Sequence, residues 1–316
     1  MNRVLKGDEP SFGPFVTLAA VSGASGFIGT ALTPALAAQG IAVRPDARPD
    51  GQRLPLCGPA LADWLRGADL VYHLAGIAHD KAAQAREADF TAVNQDLTLD
   101  LYRASAAAGV RTFVWLSSIK TLGDTAAAPL GVDAPRAPQG HYAHSKAQAE
   151  LGLLRAHQAG GPPLAIVRPP LVYGPGVKGN FARLLKLCAS PWPLPLADAC
   201  ARRALLGLDN LVDLLVHLAH AANPPTLIHV RDEEEWRTTD LVSELRRLAG
   251  RPNRQFFVPA SLVKAVARPL GLAATVSRLF DPLRVDAAPS MRSLGWRPPH
   301  SARELLEKTW RWAATQ

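Results

Sequence analysis

Residues 15–40 read FVTLAAVSGASGFIGTALTPALAAQG, and this stretch decides the fold. Its first part, FVTLAAVSG (15–23), is short, apolar and bounded by glycine, which predicts a buried strand. Its last part, TALTPALAAQG (30–40), is alanine-rich and closes on a glycine, which is typical of a helix with a glycine cap. The sequence therefore predicts a strand, a glycine-rich turn and a helix in direct succession.

The same alternation continues through the first half of the chain. Further strands are predicted at 41–48, 68–76, 111–118 and 164–169, and helices at 63–67, 82–108 and 141–159. Strands separated by helices indicate a parallel sheet that helices cover on both faces. We therefore expect an α/β fold, a Rossmann-type doubly wound parallel sheet, with a smaller and mostly helical C-terminal substrate domain.

Domain limits follow from where the alternation loosens. We expect a flexible tail over residues 1–14, a dinucleotide-binding domain over 15–175 and a substrate-binding domain over 176–316. Segments near 205–230 combine a helical pattern with a strand-like one, so we expect them to return to the first domain.

Charge and cysteine content narrow the class of function. The net charge is +8, but the basic residues are scattered, which favours attraction of phosphorylated small molecules over binding of nucleic acid. Three distant cysteines indicate neither a disulfide framework nor a metal site. No apolar stretch is long enough for a signal peptide or a membrane span, so we expect a cytoplasmic protein with no membrane partner.

The turn between the first strand and helix carries a phosphate-binding pattern. In GASGFIG the first glycine allows the turn, the second lets the backbone approach a pyrophosphate, and the third brings helix against strand. The helix N-terminus adds N–H groups and the positive end of its dipole. We expect a dinucleotide to contact Gly23, Ser25, Gly26, Phe27, Ile28 and Gly29.

The end of the second strand bears on the choice of nicotinamide cofactor. A carboxylate there would bind the 2′-hydroxyl of the adenosine ribose, and we place that position at Ala47. Arg48 follows it and suits a 2′-phosphate, so the sequence favours NADP(H). A shift of one residue would bring Asp46 to that position, so NAD(H) stays open.

A tyrosine and a lysine four residues apart begin a predicted helix. Tyr142 and Lys146 therefore project from one face, where the ammonium can favour the phenolate and bring the tyrosine pKa towards neutrality. Ser117 and Ser118 end a predicted strand, where ligands of such sheets bind. We expect a hydroxyl and a phenol to act on one reacting oxygen, while the ammonium tunes the phenol and can hydrogen-bond the nicotinamide ribose.

Five motifs together resemble the extended short-chain dehydrogenase/reductase superfamily, the NAD-dependent epimerases and dehydratases. They are GASGFIG, HLAG (73–76), LSSIK (116–120), YAHSK (142–146) and VRPPLVYGPG (167–176). The resemblance spans about residues 16–300 and includes SMRSLGW (290–296). Within the superfamily, the chain looks most like bacterial nucleotide-sugar 4-reductases and 4-epimerases of surface polysaccharide synthesis.

This resemblance implies roles for individual residues. Catalysis falls to Ser118, Tyr142 and Lys146, with Lys146 also on the cofactor. Further cofactor contacts fall to Leu74, Ala75 and Gly76, and substrate contacts to His79, Ser118, Asn180 and Arg203. The family's dehydratases carry Asp-Glu after the catalytic hydroxyl. Ile119-Lys120 stands here, which disfavours dehydration, and Lys120 is interpreted as a solvated side chain.

The predicted reaction is reduction at C4 of a UDP-4-keto-6-deoxy-hexose or its amino derivative by NADPH. The alternative is a UDP-sugar 4-epimerase that retains NAD. A non-catalytic NADPH-binding regulator would be the alternative of another class. The family likeness also implies a homodimer formed through the helices at 82–108 and 141–159.

Overall fold

A computed structural model describes residues 16–47, 56–77, 86–269, 271 and 273–316. The strands, in chain order, are β1 (Leu18–Ser22), β2 (Ala42–Pro45), β3 (Leu70–His73), β4 (Thr112–Leu116), β5 (Ala126–Leu130), β6 (Leu164–Arg168), β7 (Leu171–Tyr173), β8 (Arg202–Arg203), β9 (Leu205–Gly207), β10 (Leu227–His229), β11 (Trp236–Arg237) and β12 (Leu283–Val285).

The helices alternate with these strands in the first half and dominate the second. They are α1 (Gly29–Ala38), α2 (Gly58–Leu65), α3 (Glu87–Phe90), α4 (Leu97–Ala107), α5 (Gly140–Gln158), α6 (Gly179–Ala189), α7 (Leu208–His220), α8 (Thr238–Leu248), α9 (Ala260–Ala267), α10 (Ala273–Phe280), α11 (Ala288–Leu294) and α12 (Ala302–Ala313).

Six strands form the central sheet in the order β10-β6-β4-β3-β1-β2. Every neighbouring pair is parallel, as the strand–helix alternation predicts. The order runs outwards in both directions from β1 and β3, which is the doubly wound arrangement, and the α/β prediction is confirmed. In such a sheet the carboxyl ends of the strands share one edge, where ligands bind.

Side chains alternate between the two faces of this sheet, as the pleat requires. On β4, Val114 packs into the core beneath α1 and α7, whereas Phe113 and Trp115 pack into the core beneath α4 and α5. All three are fully buried. Both faces therefore bury apolar side chains, which explains why the predicted strands are continuous apolar runs rather than alternating ones.

Two smaller sheets connect the second half of the chain to the first. Strands β11, β8, β12 and β5 form one in that order, and β7 pairs with β9 in the other. The sequence predicts a loop over 172–181, but β7 occupies its start and α6 begins at Gly179. The residues of β9 lie 34 positions after their partners in β7, so this pairing is a long-range interaction that local sequence does not encode.

The helical stretch predicted at 82–108 contains an irregularity. A π-helical segment, Thr91–Asp96, lies between α3 and α4. Such segments are rare and often accompany functional sites. Within the described part of the chain, no helix is both long and apolar enough to cross a bilayer.

Candidate active site

The glycine-rich turn follows β1 and leads into α1. Gly23 has a φ of +78°, and a Cβ there would lie 2.6 Å from the backbone nitrogen of Ala75. A Cβ on Gly29 would lie 2.6 Å from the Cα of Ala24. Side chains are therefore excluded at both positions, because strand, helix and the segment after β3 approach one another through their backbones.

The middle of this turn is open to solvent. Ser25 and Gly26 are exposed, whereas Phe27 and Ile28 are half-buried. The N–H of Gly26 donates to the oxygen of Gly23 at 2.9 Å, which closes the turn. An exposed backbone turn at the start of a ten-residue helix fits the pyrophosphate of a dinucleotide in shape and in electrostatics.

Asp46, at the end of β2, points into this turn. Its carboxylate accepts hydrogen bonds from the N–H of Gly23 at 2.8 Å and from that of Ala24 at 3.2 Å, and the residue is 4% exposed. The acidic side chain at the end of β2 that reaches the glycine turn is therefore Asp46, and neighbouring Ala47 supplies no carboxylate. Arg48 lies outside the described residues.

A buried histidine ends β3 beside the turn. His73 Nδ1 pairs with Ser22 Oγ, and Nε2 lies 2.9 Å from Thr98 Oγ1, which itself donates to the oxygen of Asn94. Because the Thr98 hydroxyl proton is used there, Nε2 carries the imidazole proton and Nδ1 accepts from Ser22. Burial lowers the pKa of His73 to about 3, so the ring is neutral.

The segment Leu74–Gly76 continues from this histidine along the turn. A Cβ on Gly76 would lie 2.9 Å from Asn94 Oδ1 and 3.5 Å from Lys146 Nζ. Asn94 is fully buried, and its amide donates to Ser145 Oγ at 3.0 Å and accepts from the N–H of Ile77 at 2.9 Å. Asn94 therefore joins the π-helical segment to α5, a role that the sequence analysis does not assign.

Ser118 and Tyr142 form a hydrogen bond between their side chains. Ser118 follows β4 and Tyr142 lies in the first turn of α5, so the parallel sheet brings two distant segments together. Burial raises the pKa of Tyr142 above its ordinary value, and the bond to Ser118 acts in the opposite direction. In this structure the phenol is therefore held protonated, next to a hydroxyl that can share its proton.

Lys146 lies one helical turn after Tyr142 and is buried. Its Nζ donates to the oxygen of Leu116 at 2.9 Å and lies 4.5 Å from the centre of the Trp115 ring. Burial lowers the pKa of Lys146 to about 7, and the charge of Glu150 opposes that shift. Burial thus favours loss of the Lys146 proton, an effect that no local sequence pattern indicates.

Glu150 lies one helical turn after Lys146 on α5 and anchors the helix to the protein interior. It is fully buried and binds Arg168 through both oxygens, at 2.8 and 2.7 Å. It also accepts from Ser117 Oγ at 2.7 Å and from Arg136 Nε at 3.2 Å. Ser117 is thereby tied to the interior, while Ser118 faces Tyr142.

Ser118 and Tyr142 line a cavity of about 330 Å³ between the central sheet and the helical C-terminal part. Asn180 and Arg203, which sequence assigns to the substrate, line it as well. Much of the remaining wall is apolar and comes from α6, α8 and α10, including Leu184, Leu187, Leu241 and Leu279. A volume of this size with a few polar groups is typical of a small-molecule site.

Cations cluster in this cavity. Burial lowers the pKa of Lys120 and that of Arg203, the latter to about 10. The charge of Asp124 opposes both shifts, and repulsion from Arg278 adds a smaller lowering. Asp124 binds Lys120 at 3.0 Å, and the Lys120 side chain is 20% exposed. The interpretation of Lys120 as a solvated side chain is therefore wrong. Three cations thus line the cavity near the carboxylates of Asp124 and Asp281, and guanidinium and ammonium groups in such a cluster can pair with an anion.

The structure brings most of the sequence-predicted residues to one edge of the sheet. Ser118, Tyr142, Asn180 and Arg203 share the cavity, whereas the glycine turn, Leu74–Gly76 and Lys146 lie on its sheet side. His79 lies outside the described residues. Asn94, Arg278 and Lys120 also lie at this site, although the sequence assigns them no role there. Arg278 has no motif around it, and its position follows from how α10 packs.

Comparison with known proteins gives a family match over most of the chain. The model of the NAD dependent epimerase/dehydratase family matches residues 19–230. A UDP-glucose 4-epimerase from Vibrio cholerae is 32% identical over 306 residues, which cover 92% of this chain and 93% of that protein.

Solved structures agree in fold. RMD from Pseudomonas aeruginosa, complexed with NADPH, has a TM-score of 0.74 and 23% identity. This match covers 95% of this chain and 100% of the RMD chain. UDP-glucuronic acid 4-epimerase from Bacillus cereus, in complex with NAD, has a TM-score of 0.75 and 19% identity. This match covers 95% of this chain and 97% of the epimerase chain.

Proposed function

Because the chain belongs to the NAD dependent epimerase/dehydratase family, we propose that it transfers hydride at C4 of a nucleotide-activated hexose. The favoured direction is reduction of a UDP-4-keto-6-deoxy-hexose or its amino derivative. The observation that carries this proposal is the Ser118–Tyr142 hydrogen bond at the head of a cavity that also contains Arg203 and Arg278. The proton donor and these cations face the same space.

The proton chemistry follows from the buried phenol. Tyr142 donates its proton to the C4 oxygen as that oxygen gains charge, and Ser118 donates a hydrogen bond to the same atom. Since the pKa of Tyr142 is raised, the phenol is protonated before reduction, as a proton donor must be. A bound nicotinamide supplies the hydride.

Lys146 and the glycine turn would hold the cofactor. Side-chain-free backbone at Gly23, Gly29 and Gly76 leaves room along the carboxyl ends of β1 and β3, and Lys146 Nζ lies beside Gly76. With a pKa of about 7, Lys146 is partly charged at neutral pH. An ammonium near Tyr142 would favour the phenolate that forms when the proton leaves.

The cluster of Lys120, Arg203 and Arg278 supports a nucleoside diphosphate as the group through which the substrate is bound. Guanidinium groups bind phosphate oxygens through paired hydrogen bonds, and Arg203 and Arg278 both line the cavity. Asn180 adds an amide in the same wall. The apolar wall of α6 and α8 suits the faces of a base and a sugar.

Epimerisation at C4 with retained NAD is the second candidate. It uses the same residues, oxidising C4 and then reducing its other face. Two observations favour it: the 32% identical relative is a UDP-glucose 4-epimerase, and Asp46 at the glycine turn would repel a 2′-phosphate. Arg48, adjacent in sequence, is the feature that favours NADP(H) and reduction.

We also propose the domain limits and the dimer that the sequence predicts. The separate cores around the central sheet and around α6, α8 and α12 support a division near residue 176. Contacts between α5 and the π-helical segment place the two expected interface helices side by side.

The two candidates differ in how the cofactor is held. Denatured protein is assayed for released nicotinamide nucleotide, and the native protein for NADPH oxidation with a UDP-4-keto-6-deoxy-hexose. Reduction is supported if the protein releases no nicotinamide nucleotide and oxidises NADPH in an amount equal to the product formed. If the protein instead releases NAD and converts a UDP-hexose to its C4 epimer, the reaction is epimerisation and not reduction.

Tyr142→Phe tests the proton donor. We expect turnover to fall by about 10²–10⁴-fold, the usual contribution of a positioned acid, while nucleotide binding by fluorescence titration stays unchanged. The hydroxyl is lost but the ring is retained, so the thermal midpoint serves as the folding control. Unchanged turnover would remove Tyr142 from the mechanism, and absence of turnover in the parent with every substrate would favour the regulator.

A further inference from the structure

Five large apolar side chains are exposed on the C-terminal part of the molecule. They are Trp192, Phe256, Phe257, Leu262 and Val266, with exposed fractions of 72%, 46%, 66%, 55% and 57%. We call these residues the apolar face. Single exposed apolar residues are ordinary, but a group of them marks an interaction surface.

The segments that carry the apolar face are neighbours because their backbones are hydrogen-bonded. The N–H of Leu194 donates to the oxygen of Arg254 at 2.9 Å, and that of Phe256 donates back to Leu194 at 3.0 Å. Asp198 accepts from the N–H of Ala260, the first residue of α9, at 2.8 Å. Trp192, the two phenylalanines and α9 therefore lie on adjacent strips of chain.

A buried arginine holds these strips in place. Arg246, on α8, has no exposed surface, and it donates to the oxygen of Trp192 at 3.1 Å and to that of Pro252 at 2.8 Å. One side chain thus fixes both loops to the core. The exposure of Trp192 and Phe256 follows from an anchored backbone.

Helix α9 is apolar on two sides. Val263 packs against the core around α6 and α8, and Ala267, four residues later, is buried. Leu262 and Val266, also four apart, turn outwards. The outer face of a surface helix is usually polar, so an outward Leu–Val pair marks this side of α9 as a candidate for a non-aqueous contact.

Four of the five residues of the apolar face lie in a segment, 245–280, whose charged residues are all basic, and Asp198, Glu244 and Asp281 border it. Residues 245–280 contain seven Arg and Lys and no Asp or Glu, the seven being Arg246, Arg247, Arg251, Arg254, Lys264, Arg268 and Arg278. Arg247 pairs with Glu244 and Lys264 with Asp281. Arg251, Arg254 and Arg268 are exposed, and no carboxylate of the described residues pairs with them.

We propose that the apolar face docks on the surface of a lipid bilayer that contains anionic phospholipid. Trp and Phe side chains partition into the headgroup boundary, and surrounding arginines pair with lipid phosphates. A second copy of the chain fits less well, because a two-fold contact would set two basic segments against each other. An anionic surface satisfies both the apolar and the cationic groups.

This proposal is independent of the proposed reaction, although the two sites are neighbours. Leu187, at the end of α6, and Arg278, on α10, line the cavity, and α10 packs beside α9. Docking would set one wall of the cavity against the membrane surface. It differs from the sequence-based expectation of no membrane partner, and vesicle binding decides between the two.

Cosedimentation of the full chain with vesicles tests the proposal. Vesicles of phosphatidylcholine with phosphatidylglycerol, in equal amounts, are compared with phosphatidylcholine vesicles at low and high salt. We expect binding to the anionic vesicles that weakens with salt. Arg254→Gln with Arg268→Gln should lower the partition coefficient about 30-fold, and Phe257→Ser with Leu262→Ser should lower it at least tenfold.

Matched controls separate this effect from loss of charge or of fold. Arg66→Gln with Arg311→Gln removes two arginines whose side chains are 80% and 75% exposed elsewhere, and should bind as the parent does. Thermal midpoints of all variants should match. Equal binding to both vesicle types, equal loss in the control, or no binding overturns the proposal. So does a dimer that the Phe257/Leu262 variant abolishes without any vesicle binding.

Discussion

Gly29 illustrates how a missing side chain creates a binding site. It begins α1, and its Cα faces the backbone of Gly23 and Ala24 so closely that a methyl group has no space. That contact draws the helix N-terminus over the end of β1. Backbone packing therefore sets the positions of the N–H groups that would face a pyrophosphate. The proposed cofactor site depends on the absence of a Cβ atom at Gly29.

Gly29→Ala is expected to abolish nicotinamide nucleotide binding and lower the thermal midpoint. The added Cβ would lie 2.6 Å from Ala24 Cα, so the turn or the helix must move. Isothermal titration with NADH and NADPH measures the first effect. Gly131→Ala is the matched control, because a Cβ there meets nothing within 4 Å. Retained nucleotide affinity in Gly29→Ala would place the cofactor elsewhere.

At the scale of elements, α5 carries the site on one face. Tyr142, Lys146 and Glu150 recur every four residues, so the helix presents a phenol, an ammonium and a carboxylate in line. The first faces the cavity and the last lies in the interior with Arg168. The buried ion pair thus sets the axial position of the helix relative to β4 and β6.

Glu150→Gln should destabilise the protein by about 3–5 kcal/mol, because it leaves the buried charge of Arg168 without its partner. Urea unfolding followed by circular dichroism measures the loss. Glu150→Gln combined with Arg168→Met removes both charges and should recover part of the stability. If the double variant were as unstable as the sum of its parts, the two residues would not act as a pair.

At the scale of the whole molecule, the central sheet buries two neutral histidines. His73 ends β3 and His229 ends β10, and burial is the main cause that lowers their pKa values, to about 3 and about 4. An unfolded chain protonates histidine near pH ~6.5. Below that pH the unfolded state therefore gains protons that the folded state cannot accept.

Stability should consequently fall as the pH drops from about 6.5 to about 4 for His229 and to about 3 for His73. Each histidine contributes at most about 1.4 kcal/mol per pH unit in that window, and nothing above it. Urea midpoints at a series of pH values give the slope. His73→Asn should flatten it by about half, while His220→Asn, at an exposed position, should leave it unchanged. A flat parent curve would mean that both rings titrate in the folded protein.

The sequence by itself determined the doubly wound sheet, the glycine turn and the tyrosine–lysine pair. Each is a local pattern: apolar runs between glycines, a fixed spacing of side-chain-free positions, and two residues one helical turn apart. Such patterns act through backbone conformation and nearest neighbours, so they can be interpreted without knowing which segments meet.

Only the tertiary structure decided which distant side chains share a space. It turned Asp46 towards the glycine turn, paired β7 with β9, and brought Lys120, Arg203 and Arg278 into one cavity. It also left the outer side of α9 apolar and uncovered. These outcomes depend on contacts between segments tens of residues apart, whose energies no local pattern carries.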